Sequence, residues 1–169
     1  MHRYSQDKTP FIPFEQEWKL TENTIAIQKE IFLPDLEVQV ENFGAIPPDY
    51  RLPMGIVQVI VENSLLHGLR HRTEPPYQLR IAFWERPNMY GISISDNGIG
   101  VAASKKIAGV QRHGTGLKNI QRILNILDKH FDDAITITMT EKDKEDPKYP
   151  GTMTIIQLKK SINYEKISL

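Results

Sequence analysis

The chain has 169 residues, 40% of them hydrophobic and 25% charged, which is enough for one domain with its own core. It contains no cysteine, so a disulfide framework, a zinc–thiolate site and a cysteine nucleophile are excluded. Lys+Arg 21 against Asp+Glu 21 leaves a formal net charge of +0, which argues against a broadly basic nucleic-acid-binding surface. No apolar run is long enough to span a bilayer, and no signal-type hydrophobic stretch opens the chain, so a cytoplasmic location is expected.

Residues 1–13 are polar and proline-punctuated and read as a flexible arm. Residues 15–33 read as a helix, with Trp18, Ile25 and Phe32 at heptad spacing and Leu20, Ile27 and Ile31 beside them. Pro34 ends it. Leu36, Val38 and Val40 then alternate with Glu37, Gln39 and Glu41 as a half-exposed strand. After a loop at 44–51, Met54 to about Leu69 carries the helical core stripe Ile56, Val57, Ile60, Val61 and Leu65.

Strands follow at Leu79–Phe83 and Tyr90–Asp96. The glycine-rich run from Gly98 to Gly116 reads as mobile, and Leu117–His130 as a helix with Leu117, Ile120, Leu124 and Leu127 in register. Strands at 134–140 and 152–158 close the chain, joined by a charged loop, KDKEDPKYPG, that reads as a solvated hairpin turn. Paired strands with helices between the pairs predict an α+β two-layer sandwich, its mixed, mostly antiparallel sheet covered on one face by helices.

Three segments could carry chemistry. In Val61-Glu62-Asn63-Ser64-Leu65-Leu66-His67-Gly68, Asn63 and His67 follow Ile56 and Ile60 by one heptad, at the edge of the core stripe. An Asn oxygen is a neutral hard ligand suited to Mg²⁺ that is also held by phosphate. In Ile92-Ser93-Ile94-Ser95-Asp96-Asn97-Gly98-Ile99-Gly100, alternation puts Asp96 on the face of Ile92 and Ile94, so an apolar face ends in a carboxylate. That carboxylate can accept from an amino group such as the exocyclic amine of adenine. In Arg112-His113-Gly114-Thr115-Gly116-Leu117-Lys118, glycines precede a helix whose first amides favour an anion. Taken singly, these segments read more simply as a polar helix flank, an Asp-Asn-Gly turn and a plain glycine loop.

Their order and spacing together resemble the Bergerat (GHKL) nucleotide-binding fold of gyrase, a heat-shock chaperone, histidine kinases and mismatch-repair proteins. Glu62-Asn63 is similar to its N box, Asp96-x-Gly98-x-Gly100 to its first glycine box, and Gly114-x-Gly116 to its second. Within that fold, Val61-Glu62-Asn63-Ser64-x-x-His67-Gly68 and Gly116-Leu117-x-Asn119-Ile120-x-Arg122 most resemble sensor histidine kinases of the LytS/YehU type. The resemblance implies ATP and Mg²⁺ as cofactors, phosphoryl transfer to histidine, and a response-regulator partner. It implies a helix at 14–33 leading from a dimerisation segment mostly outside the chain, a catalytic domain at 34–160 and a tail at 161–169. No nucleic-acid partner is implied, and a membrane enters only through segments outside the chain.

The roles it implies are adenine selection by Asp96, Mg²⁺ binding by Asn63, and a pocket shaped by Gly98 and Gly100 with walls from Ile94, Ile99 and Leu117. The amides and side chains of His113, Gly114, Thr115, Gly116 and Lys118 would meet the phosphates, with His67 near them. Leu66 departs from the family's lysine, so that phosphate contact is either missing or supplied by Arg70, Arg112 or Lys118. The family's phosphoacceptor motif is absent, since only His130 precedes a phenylalanine and Asp132-Asp133 follows. Hydrolytic members resemble one another in an acidic residue one turn before the Asn, a position held here by Val59. Glu62 points about 100° away from Asn63 around the helix and is kept as a candidate base. Two rival readings share the same boxes: a nucleotide-binding switch without transfer chemistry, and an anti-sigma-factor-type serine kinase.

Overall fold

Alternating apolar residues build a sheet with one dry face. The computed structural model describes residues 10–108, 115–143 and 145–162. Strands β4 (Tyr77–Arg86) and β5 (Met89–Asp96) pair antiparallel, with Ile81 opposite Ile94 and Phe83 opposite Ile92. All four of these side chains are buried. On the other side of β5 runs β7 (Thr152–Lys159), which also pairs with β6 (Ile135–Glu141), both antiparallel. Strand β2 (Leu36–Glu41) lies parallel to β4, giving the order β2-β4-β5-β7-β6. The opposite face is mixed: Gln78, Arg80, Thr138 and Thr140 are exposed there, beside the half-buried Trp84, Met153 and Ile155.

Helices cover the dry face. Phe14, Trp18 and Ile25 of α1 (Phe14–Ile31), and Ile56, Val57, Ile60 and Val61 of α2 (Ile56–Asn63), join the sheet's core. So do Ile120, Leu124 and Leu127 of α4 (Thr115–Asp128). The Phe14 and Trp18 rings meet Phe83 edge-on at 5.5 and 5.3 Å, tying α1 to the middle of β4. The expected two-layer α+β sandwich with a mostly antiparallel sheet is therefore the observed architecture. No helix among the described residues is long and apolar enough to cross a membrane.

Several local expectations are corrected. The glycine-rich stretch read as mobile contains a helix, α3 (Gly100–Ala108). Within the proposed arm, β1 (Phe11–Pro13) pairs antiparallel with β3 (Arg51–Pro53) and buries Phe11. Helix α1 packs into the domain, but Ile27, Ile31 and Phe32 are 53%, 62% and 46% exposed. Its buried stripe runs instead through Phe14, Glu17, Trp18, Thr21 and Ile25. Phe32 lies just past the helix end, beneath the Arg70 guanidinium at 3.9 Å.

Glu17 explains why a charged residue occupies that buried stripe. The residue before α2 is Gly55, at φ 84°, and it has no side chain to cap the helix start. The Glu17 carboxylate supplies the cap from another helix, accepting from the Gly55, Val57 and Gln58 amides at 2.7, 2.9 and 3.1 Å. A negative group there also meets the positive end of the α2 dipole. Burial pushes the Glu17 carboxyl up from its ordinary 4.5, and the three amide bonds pull against that rise.

Candidate functional site

The site begins where α2 stops being α-helical. Its last residue is Asn63, and Ser64–Gly68 continue as a π-helical turn, followed by a 3-10 turn at Leu69–His71. A π-turn shifts the register of the side chains it carries, and such turns occur often at functional sites. Ser64 and Gly68 are buried, while Glu62, Asn63 and His67 are half-buried. The Asn63 amide nitrogen Nδ2 is buried with no hydrogen-bond partner.

Facing this turn is the end of β5. Asp96 lies on the same side of the strand as Ile92 and Ile94, as alternation predicts, and is 1% exposed. Its Oδ1 accepts from the Gly98 amide at 2.9 Å. Its Oδ2 is buried and has no donor in bonding geometry. Burial pushes the Asp96 carboxyl up from its ordinary 3.8, opposed by the Gly98 amide, the Ser64 hydroxyl, the Thr152 amide and the Lys142 charge. A desolvated carboxylate with one free oxygen is a strong acceptor for a ligand N–H and a costly group to leave unpaired.

The two segments interlock through glycines. A side chain at Gly68 would stand 3.0 Å from Asp96 Oδ1. A side chain at Gly98 would overlap the Gly68 carbonyl carbon. The Ile99 amide donates to the Gly68 carbonyl at 3.3 Å, and Gly98 accepts from the Gly151 amide at 3.0 Å. Gly100 starts α3 at φ 79°, a left-handed backbone that glycine adopts without strain.

Helix α4 meets α2 from a third side. A Cβ at Gly116 would stand 2.9 Å from Val59 Cγ2, so the first turn of α4 lies directly on the Val59 side chain. Leu117 is half-buried and Lys118 exposed there. Arg112, His113 and Gly114 lie outside the described residues, as does the side chain of Thr115. The structure thus brings together Asn63, the His67 turn, Asp96, Gly98, Ile99 and Gly100, with the start of α4 packed against the same helix.

Sequence reasoning missed the loop between β6 and β7. Its end is no solvated turn: Pro150 and Gly151 are buried, and Gly151 packs on the Asp96 carbonyl. The Pro-Gly pair was the available signal. The Ser64 hydroxyl beside Asp96 was also missed, since a serine following Asn63 reads as part of a polar helix flank.

Among the described residues no three His, Asp or Glu side chains gather as a metal cage. The Asn63 amide oxygen is the type of neutral ligand a hard cation takes alongside phosphate and water oxygens, while its orphaned Nδ2 is a donor that would meet an acceptor such as a phosphate oxygen.

No family model matches the chain. It is 30% identical over 129 residues to YwpD of Bacillus subtilis (strain 168), an uncharacterised protein, across 75% of this chain and 44% of that one. The chain therefore spans less than half of that relative's length. Among solved structures it resembles the mycobacterial sensor histidine kinase MprB (TM-score 0.56, 13% identity, 88% of this chain and 95% of that one). It also resembles the catalytic domain of histidine kinase ThkA (0.54, 15%, 90% and 99%). A third likeness is to the Acinetobacter baumannii histidine kinase AdeS (0.55, 11%, 90% and 67%). The chain has the α+β fold of histidine-kinase catalytic domains.

Proposed function

We propose that this chain is the ATP-binding catalytic domain of a sensor histidine kinase of the LytS/YehU type. It would transfer the γ-phosphate of ATP to a histidine on another segment, for relay to a response regulator. The observation that carries the reading is Asp96 Oδ2, a buried carboxylate oxygen without a donor at the end of the core strand, beside glycines that let the Gly68 and Gly98 segments close against it. Adenine offers an amine to such an oxygen, whereas guanine offers a carbonyl.

In this reading Asp96 orients the base, and Ile99 and Leu117 form apolar walls. The amides opening α4, with Gly114, Gly116, His113 and Lys118, hold the phosphates, and His67 approaches them from the π-turn. Asn63 would hold Mg²⁺, which when bound offsets phosphate charge. Phosphoryl transfer is mainly positioning and charge stabilisation, so the domain needs no strong base when the nucleophile is an imidazole nitrogen. Val59, covered by Gly116, provides no group to activate water, and Glu62 is the remaining candidate.

Incubation with γ-labelled ATP tests the transfer. The chain alone should bind nucleotide, acquire no label and release phosphate slowly. A longer chain containing the acceptor helix should acquire an acid-labile, base-stable label. Asn63→Ala should abolish the advantage of Mg²⁺ for ATP while metal-free ADP binds nearly as before. A label on this chain alone, or rapid phosphate release, would contradict the assignment.

A further inference from the structure

The far side of the Asp96 turn is held by groups outside the nucleotide boxes. Arg72 directly follows the 3-10 turn, and its amide donates to the Leu69 carbonyl at 3.0 Å. From Nη1 its guanidinium donates to the Asn97 carbonyl at 2.7 Å, and from Nε to the Glu74 carbonyl at 2.7 Å. One planar side chain thus joins the segment leaving the nucleotide helix to the residue after Asp96. The Asn97 side chain completes the tie, accepting from the Gln78 amide at 2.8 Å and donating to the Pro76 carbonyl at 2.9 Å.

The guanidinium also lies 4.0 Å from the centroid of the Tyr149 ring. The Tyr149 hydroxyl accepts from the Thr73 amide at 3.3 Å and sits 2.6 Å from the Thr73 hydroxyl. Beside it Lys148 pairs with Glu74 at 2.5 Å. Tyr149 leads through Pro150 to Gly151, whose amide binds the Gly98 carbonyl. The Asp96–Gly98 turn is therefore gripped from both sides by one stack, Arg72 on Tyr149.

Resting on the nucleotide reading above, we propose that Arg72 is a positioning residue for base recognition, clamping the Asp96–Gly98 turn through the Asn97 carbonyl while Tyr149 holds its guanidinium flat. A recognition group must be held within about 0.5 Å of its productive position, and two loops joined by one rigid fork achieve that. Neither Arg72 nor Tyr149 needs to touch the ligand. Lysine cannot substitute, because a point charge lacks both the fork and the stacking plane.

The test combines amide hydrogen exchange by NMR on the nucleotide-free protein with titrations of ADP and GDP. In Arg72→Ala, the Gly98 and Ile99 amides should exchange about tenfold faster or more, while the Ile92 and Ile94 amides keep their protection. ADP affinity should fall about tenfold and the preference for ADP over GDP should shrink. Arg72→Lys should behave like alanine, and Tyr149→Phe, which keeps the ring, should stay near wild type. If Arg72→Ala does not fold, Tyr149→Ala carries the same test. Unchanged Gly98 exchange, or faster exchange with an unchanged ADP preference, would overturn the positioning role alone. Wild-type protein that binds no ADP would overturn the nucleotide reading, and this role with it.

Discussion

Gly98→Ala should lower the stability of the domain and abolish nucleotide binding together. The Cβ would overlap the backbone carbonyl of Gly68, which no rotamer change can relieve. Gly98 also donates to Asp96 Oδ1 and accepts from Gly151, so its backbone cannot move without releasing both bonds. Overpacking of this kind costs about 1–3 kcal/mol, with lost bonds adding about 1 kcal/mol each. A fall in melting temperature of about 5–15 °C is expected for a domain of this size. Thermal unfolding and an ADP titration of the variant check it. A variant that melts and binds like wild type would show that the two segments do not interlock.

Glu17→Ala should be the most damaging substitution far from the site. It leaves the Gly55, Val57 and Gln58 amides at a buried helix start without an acceptor. Leaving a buried donor without its acceptor costs about 1–3 kcal/mol for each group. Glu17→Gln keeps one oxygen and the shape, so its cost should be smaller and should depend on pH. The sign follows from burial. The folded-state carboxyl titrates above its ordinary 4.5, so the folded chain holds the proton longer than the unfolded one. Between 4.5 and that raised value, stability from Glu17 is lost as pH rises, and below 4.5 it is fully present. Urea midpoints of wild type and Glu17→Gln across pH 4–8 should therefore converge as pH rises through that window. Curves that stay parallel would contradict the buried, upward-shifted carboxyl.

The elements around the site differ in how far local pattern specifies them. The α2 stripe and the β5 alternation are periodic and short-range, so Ile56 to Val61 and the inward face ending at Asp96 are legible from the residues alone. Contacts across long stretches of chain are not. Glu17 carries no local signal of burial until Gly55 arrives beneath it, and Ile27 and Ile31 lie off the buried face of the same helix. Helix α3 is hidden by the glycines at its start. The π-turn leaves no periodic signature, since Leu65 and Leu69 fit an α-helix equally well. Arg72 and Tyr149 lie in loops whose charges suggest solvation, and only the fold brings them together.

The central claim is tested most directly by calorimetric titration of this chain with ATP and GTP in Mg²⁺, alongside Asp96→Ala. The unpartnered Asp96 oxygen predicts saturable ATP binding with GTP weaker by roughly tenfold or more, since a hydrogen bond to a charged group is worth about 1.5–3 kcal/mol. Asp96→Ala should lose that preference. Equal affinities for ATP and GTP in the wild type, or no binding of either, would contradict the account.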